Sequence, residues 1–452
     1  MNIIICGCGK VGSTLAEQLN EEGHDVTIID NDREVAERMS SQLDVQSVLG
    51  NSTSYHVQSE AGVEDSDLLI AVTDKDEVNL LSCLIAKKAG DCHTIARVRN
   101  PEYYREIDFI KEELGLSLAI NPELTCAHEI LRLIRIPSAL EIDTFARGRV
   151  NLIKLTIPKG SDLHNMKVYE FSNKVSSQTL ICVIQRGQQV LIPDGNTVLC
   201  EGDSIYVSTP YGEMEKLFAR VNLKAKRVRS VMIVGGGTIA YYLAQALESS
   251  KIQVKIIEKD RARADSLSEQ LDNTLVICGD GSDRQLLMEE GLNEVDAFVS
   301  LTNLDEENIM LSLYASKTTK AKVITKFNKI DFEEILDDLP LGSTVCPKSI
   351  TAEYILSYLR AMQNSYGSNV ETLHRMVDNR VEALEFAVHT ESEVTGKSLM
   401  ELNLKPSLLI CSINRHGKII TPGGRDMILP GDTVVVVTTN KGLKDIKDIL
   451  KK

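Results

Sequence analysis

The sequence predicts an α/β chain built twice over: two doubly wound parallel-sheet domains, each followed by a small β-rich α+β domain. Three observations carry this expectation. Near the N-terminus an apolar run, a glycine-rich turn, a helical pattern and a second apolar run ending on an acid follow one another without a break. Strand-like and helix-like segments then alternate at the spacing of βαβ units. The whole programme returns in the second half of the chain.

The first element, Asn2-Ile3-Ile4-Ile5-Cys6, is short and β-branched and reads as a buried parallel strand. It runs into Gly7-Cys8-Gly9-Lys10-Val11-Gly12, then a helical pattern over 13–22 with Leu15, Ala16 and Leu19 on one side. A second strand, 26–29, ends on Asp30, which lies 21 residues beyond Gly9. Each part suits the grip of a Rossmann-like domain on an adenine dinucleotide. Gly7 permits the tight turn, Gly9 lets backbone amides approach a pyrophosphate, and Gly12 lets helix and strand pack closely. Unpaired N–H groups and the macrodipole at the helix start favour the phosphates. A carboxylate at Asp30 can accept hydrogen bonds from ribose hydroxyls. A glycine triplet alone is weak evidence, but here it lies between strand and helix with an acid at the right distance.

The alternation continues with strands at 45–49, 67–73 and 93–98, a helix entering Ala61-Gly62, and a helix opened by Asp76-Glu77, whose acids suit its dipole. Around Pro122 the rhythm changes. A helix over 123–135 stops before Pro137, and strands at 151–157, 179–185, 189–192 and 204–208 follow. The turns between them fall at Pro158-Lys159-Gly160, Arg186-Gly187, Pro193-Asp194-Gly195 and Glu201-Gly202-Asp203. That is a small β-rich domain.

Then Val231-Met232-Ile233-Val234 leads into Gly235-Gly236-Gly237-Thr238-Ile239-Ala240, and a strand at 254–257 ends on Glu258. Thr302-x-x-Asp305-Glu306-x-Asn308 repeats Thr73-x-x-Asp76-Glu77-x-Asn79, and Leu409-Ile410-Cys411 repeats Leu180-Ile181-Cys182. Gly235 follows Gly7 by 228 residues and Thr302 follows Thr73 by 229. Register kept this far means a tandem duplication. The expected domains are 1–122 and 228–348 for the nucleotide-binding pair, 138–222 and 370–452 for the β-rich pair. The halves differ: Gly12 becomes Ala240, Asp30 becomes Glu258, and Arg97 becomes Lys326, which lacks the planar fork that grips phosphate. The first site is expected to bind tighter, or to bind something different. Asp280 of the second half is answered by Asn51, so what residue 51 contributes stays open.

Composition narrows the function. At 452 residues, with 43% hydrophobic and 25% charged residues, the chain is of ordinary globular composition and long enough for several domains. Aromatics at 4%, no Trp and a net charge of −15 argue against nucleic acid. Ten scattered cysteines form no Cys-x-x-Cys pair, so neither a zinc site nor a redox dithiol is signalled. With no secretory leader, reduced thiols in the cytoplasm are the expectation. No apolar run approaches the ~20 residues that span a bilayer. No ligand spacing supports a metal at Asp162, Asp194 or Asp203.

An enzyme would need an acid or base beside the cofactor's reactive end. There is no Tyr-x-x-x-Lys pair of the short-chain reductase type, and the eight histidines neither cluster nor repeat; only His93 stands near a strand of the first sheet. An NAD-dependent oxidoreductase with a duplicated Rossmann domain stays as the alternative to a non-catalytic sensor.

The glycine turns, Asp30 and Glu258, the repeated Thr-x-x-Asp-Glu-x-Asn, Ile95-Ala96-Arg97-Val98-Arg99 and the small β modules together resemble the TrkA family of Trk-system potassium uptake proteins. These are tandem RCK (regulator of potassium conductance) chains, and the resemblance covers essentially the whole sequence. It implies a cytoplasmic regulatory subunit, peripheral on the inner face of the membrane, that binds NAD(H) and ATP or ADP. It also implies a homotetrameric ring of eight N-lobes beneath a membrane-embedded potassium-conducting partner. The nucleotide residues so implied are Gly7, Cys8, Gly9, Lys10, Val11, Gly12, Asp30, Thr73, Asp74, Arg97 and Arg99 in the first half. In the second they are Gly235, Gly237, Thr238, Ile239, Ala240, Glu258 and Thr302.

Overall fold

The computed structural model describes every residue except 147, 176–177, 221–226, 329–338, 365–369, 378 and 452. The expected domain edges at 222 and 452 lie outside the described residues. In the first parallel sheet, β1 (Asn2–Cys6) pairs with β2 (Asp25–Asp30), which pairs with β3 (Gln46–Leu49). On its other side β1 pairs with β4 (Leu68–Ala71), followed outward by β5 (His93–Arg97) and β6 (Leu118–Ile120). Then come β7 (Glu141–Phe145), β8 (Val150–Thr156), β9 (Leu180–Arg186), β10 (Gln189–Leu191) and β11 (Ser204–Pro210). They form an antiparallel sheet in the order β10-β9-β11-β8-β7.

The second half repeats both layers. β12 (Ser230–Val234), β13 (Gln253–Glu258), β14 (Thr274–Cys278), β15 (Ala297–Ser300), β16 (Lys322–Lys326) and β17 (Ser343–Val345) lie in the order β14-β13-β12-β15-β16-β17. β18 (Val370–Met376), β19 (Val381–Ala387), β20 (Leu408–Arg415), β21 (Lys418–Ile420) and β22 (Asp432–Thr438) repeat the antiparallel order. Each β-rich module carries the same ion pair, a part-exposed arginine on a buried aspartate. Arg186 forks onto Asp203 at 2.7 and 2.8 Å, and Arg415 onto Asp432 at 2.8 and 2.7 Å. The carboxylate of Asp203 is thereby spent on the fold.

Some boundaries differ from the sequence reading. The first helix begins at Lys10, not at 13, because Gly9 already caps it. β4 stops at Ala71, short of Thr73. Strands β6, β7 and β17 and the helices Val168–Val175 and Met214–Arg220 escaped notice. Their segments are short or half-polar, so neither period dominates.

What joins the halves is an exchange of helices. Helix Pro122–Arg135 leaves the first sheet and packs on helix Thr238–Ser249 of the second half. Its Cys126, Ile130 and Ile134 share one core with Val231, Ile233 and Leu243. The counterpart helix Pro347–Asn364 packs on helix Lys10–Glu21, placing Ala352, Ile355, Leu356 and Leu359 in one core with Ile3, Ile5, Leu15 and Leu19. Burying each large aliphatic side chain is worth about 1.5–3 kcal/mol. That outweighs the partly exposed Arg375–Glu21 pair at 3.2 Å, of a kind worth about 0–1 kcal/mol. The β-rich modules meet face to face, with Cys182, Val183, Cys411 and Val437 in one core.

Where the exchanged helices meet the β-rich modules lies a cavity of about 1050 Å³. Its walls carry Glu129 and Arg132, Glu141 and Asp143, Lys154, Glu353 and Arg360, Glu371, His374 and Arg375, and Glu385. Burial, then the neighbouring Glu141, pushes Asp143 up to about 7. Burial, then Asp143 and Glu129, pushes Glu353 up to about 8. Burial, then Arg132 and Arg360, lowers His374 to about 4. Both acids hold protons in the fold that the unfolded chain has already lost, so their contribution is present at low pH and fades as pH rises through their folded values. His374 acts in the opposite sense, below pH ~6.5. Above pH ~7.5 His374 is almost wholly neutral in both states, and from there to pH ~8.5 the melting temperature should fall as pH rises. Glu353→Gln should flatten that slope; an unchanged slope in a pH series of melting curves would refute the assignment.

Candidate functional site

The ends of β1, β2, β4 and β5 and the start of helix Lys10–Glu21 open onto a cleft of about 1000 Å³. Gly7 has φ +89°, and a Cβ there would meet Thr73 at 2.9 Å. A Cβ on Gly12 would lie 1.9 Å from the Gly7 carbonyl oxygen, so helix and turn touch there. Gly9 is the reverse: nothing lies within 4 Å of where its Cβ would be. The space above the helix start is open to a ligand, and the first amides of the helix face it.

Asp30 accepts from the Cys8 N–H at 2.6 Å through one oxygen and from the Asp32 N–H at 2.9 Å through the other. Glu258 does the same with Gly236 at 2.6 Å and Asp260 at 2.7 Å. These acids therefore hold the glycine turn in place, while a carboxylate's further lone pairs remain for a sugar. Asn51 and Asp280 likewise cap their own turns, accepting from Thr53 N–H at 3.0 Å and from Ser282 N–H at 2.9 Å. Asp280 also pairs with Lys259 at 2.6 Å. The question at residue 51 resolves to a turn-capping role common to both halves.

The repeated Thr-x-x-Asp-Glu-x-Asn is a clamp across the sheet edge. The Asn79 side chain accepts from Thr73 N–H (2.8 Å) and Thr73 Oγ1 (2.7 Å). Its amide donates to the carbonyls of Thr73 (3.3 Å) and Arg97 (2.9 Å). Asn308 makes the same four bonds to Thr302 and Lys326. Asp76 accepts from the N–H groups of Arg99 and Asn100 at 2.8 and 2.7 Å. The motif fixes where β5 delivers its arginines. Arg97 is largely buried toward the cleft, 4.0 Å from Glu123, with its Nε unpartnered. Arg99 lies 3.8 Å from Asp76 and donates to the Asp74 carbonyl. Burial raises Glu123's pKa, and Arg97 opposes the rise.

The cleft brings together Gly7, Cys8, Gly9, Lys10, Val11, Asp30, Thr73, Asp74, Arg97 and Arg99. It also brings in Gly237, Thr238, Ile239 and Ala240 from the second half. Gly12, Gly235, Glu258 and Thr302 are not on its walls. They shape turns and clamps behind it. The sequence reading missed Lys75, Glu123, Asn328 and Lys348, and it placed Lys326 in a separate second site. Pro122-Glu123 and Pro347-Lys348, both proline-led helix starts, were the available signal.

The TrkA-N domain family matches residues 3–122 and 231–347, and the TrkA-C domain family matches residues 152–222 and 383–451. The Trk system potassium uptake protein TrkA of Vibrio alginolyticus is 32% identical over 453 residues, 99% of this chain and 98% of the relative. This chain belongs to the TrkA family. A TrkA homolog from Archaeoglobus fulgidus is 33% identical over 451 residues, covering 100% of both. Among solved structures the TrkA-family chain is similar in fold to the GsuK channel bound to NAD, with TM-score 0.61 and 17% identity, over 97% of this chain and 77% of that one. It is similar also to GsuK bound to ADP, with TM-score 0.50 and 14% identity, over 80% and 69%.

Asn79→Ala should take this partner from the Thr73 N–H and from the Thr73 and Arg97 carbonyls, all part-buried, and cost about 2–4 kcal/mol. Denaturant midpoints measure this. A loss below about 1 kcal/mol would mean that water replaces the clamp.

Proposed function

We propose that this chain is the regulatory subunit of a Trk-type potassium uptake system. It binds NAD(H) or adenine nucleotides in the cleft and changes the state of a membrane-embedded potassium-conducting subunit. The observation that carries this is a full-length match to the TrkA family combined with a cleft that sets helix-start amides and cations beside the acid at the end of β2. Among the described residues none of those lining it is a His or a Tyr. The thiol of Cys8, pushed up to about 12 by burial and by Asp30, is a poor nucleophile. On this reading the chain works by binding a nucleotide and shifting a conformational equilibrium rather than by turning a substrate over.

The ligand residues are those of the first-half turn, Asp30, Thr73, Asp74, Arg97 and Arg99, with Gly237, Thr238, Ile239 and Ala240 facing them. Gly12, Gly235, Glu258 and Thr302 contribute by holding the turns. Among the described residues no helix is long and apolar enough to cross a membrane, which suits a peripheral subunit docked on a spanning partner. Assembly is as a homotetrameric ring at the cytoplasmic face. A nucleotide moves such a ring between shapes only through unequal affinity for them; typical couplings of ~1–3 kcal/mol give factors of roughly 5–150.

Calorimetry with NADH and NADPH tests the site. Asp30 should repel the extra phosphate of NADPH, so NADH should bind more tightly, and Asp30→Ala should weaken NADH while leaving the fold intact. Equal affinities for the two, or a variant that binds like wild type, would refute the role given to Asp30. Turnover of NADH at ordinary enzyme rates of ~1–10³ s⁻¹ would refute the regulator reading.

A further inference from the structure

Two lysines of the second half stand in the cleft where the first half presents Asp30 and its glycine turn. Lys326 ends β16 as Arg97 ends β5, and its carbonyl is held by Asn308 as that of Arg97 is held by Asn79. It is 5% exposed, and its ammonium has one long hydrogen bond, 3.4 Å to the Leu301 carbonyl. Its electrostatic neighbours cross the boundary between halves: Lys10 and Glu123 act on it as well as Asp305. Lys348 follows Pro347 at the start of its helix, the place that Glu123 holds after Pro122. Lys348 is half-buried and borders both the cleft and the second cavity.

We propose that Lys326 and Lys348 bind the terminal phosphates of an adenine nucleotide seated on Asp30 and the first glycine turn, so that the second half reads the phosphate number. The proposal rests on the nucleotide reading above. Of the first half's cleft cations, Arg97 has Glu123 at 4.0 Å and Arg99 has Asp76 and the Asp74 carbonyl, while Lys10 and Lys75 are exposed. A monophosphate ends at the amides before Lys10. Further phosphates would extend along the same cleft, whose walls include Gly237, Thr238, Lys326 and Lys348. A desolvated ammonium with one long hydrogen bond is costly, and a phosphate oxygen relieves that cost with a charge-assisted bond. Lys348 also gives the signal a route. A phosphate that fixes it fixes the start of helix Pro347–Asn364, which carries Glu353 and Arg360 into the cavity where the modules meet.

The experiment is calorimetry of AMP, ADP and ATP, without magnesium, on the full chain and on Lys348→Gln and Lys326→Gln, counting the binding that Asp30→Ala abolishes. ATP should bind wild type more tightly than AMP. Each lysine variant should lose about tenfold in ATP affinity, a charged hydrogen bond's worth, and leave AMP unchanged. Lys326 is buried, so melting curves accompany its variant, and Lys348→Gln decides the matter if Lys326→Gln does not fold. An ATP-to-AMP ratio in Lys348→Gln equal to that of wild type would overturn this inference alone, as would an equal loss for all three nucleotides. No adenylate binding by wild type would overturn the nucleotide reading and this inference with it.

Discussion

The reciprocal packing of two helices on each other's sheets is the constraint from which the rest follows. Helix Pro122–Arg135 cannot cover the sheet it leaves, because its apolar stripe is already committed to the core beneath β12 and helix Thr238–Ser249. Helix Pro347–Asn364 closes the first half's core in return. Each half thus has a core that is incomplete without the other. The arrangement brings Gly237, Thr238, Ile239 and Ala240 of the second half onto the cleft of the first glycine turn, and the contact between the halves is apolar and close-packed. Such interfaces repack between discrete arrangements rather than deforming smoothly.

Duplication supplied the symmetry, and substitution broke it at the centre of the cleft. Lys326 stands in the second half where Arg97 stands in the first, and Lys348 where Glu123 does, so the first half's side holds a partnered arginine and an acid while the second contributes two lysines. Away from that centre the copies kept the same devices: an acid bonded to the glycine turn, an Asn clamp, an Arg–Asp fork in the β module. These retained devices are all buried or turn-forming, where loss of a partner is costly.

The Asn clamp shows how a motif can be legible while its role is not. Thr73-x-x-Asp76-Glu77-x-Asn79 stood out because it recurs, and recurrence beside a nucleotide fold suggests ligand contact. In the fold the Thr73 hydroxyl and the Asp76 carboxylate are occupied by Asn79 and by the backbone of Arg99 and Asn100. These bonds aim the arginines, a role that the recurrence of the motif does not reveal and the geometry does.

By itself the sequence determined the duplication, the alternation of strand and helix, the glycine turn with its acid, and the β modules. These are local: period, turn chemistry and fixed offsets act within some thirty residues, or repeat a pattern already seen. What only the tertiary structure decided is which surfaces meet. The exchange of helices, the meeting of both halves at one cleft, the place of Glu123, Lys326 and Lys348 in it, and the acid cluster around Asp143 and Glu353 join residues up to two hundred or more positions apart. No period records such distances, because burial of an apolar stripe is indifferent to which half of the chain supplies the covering face.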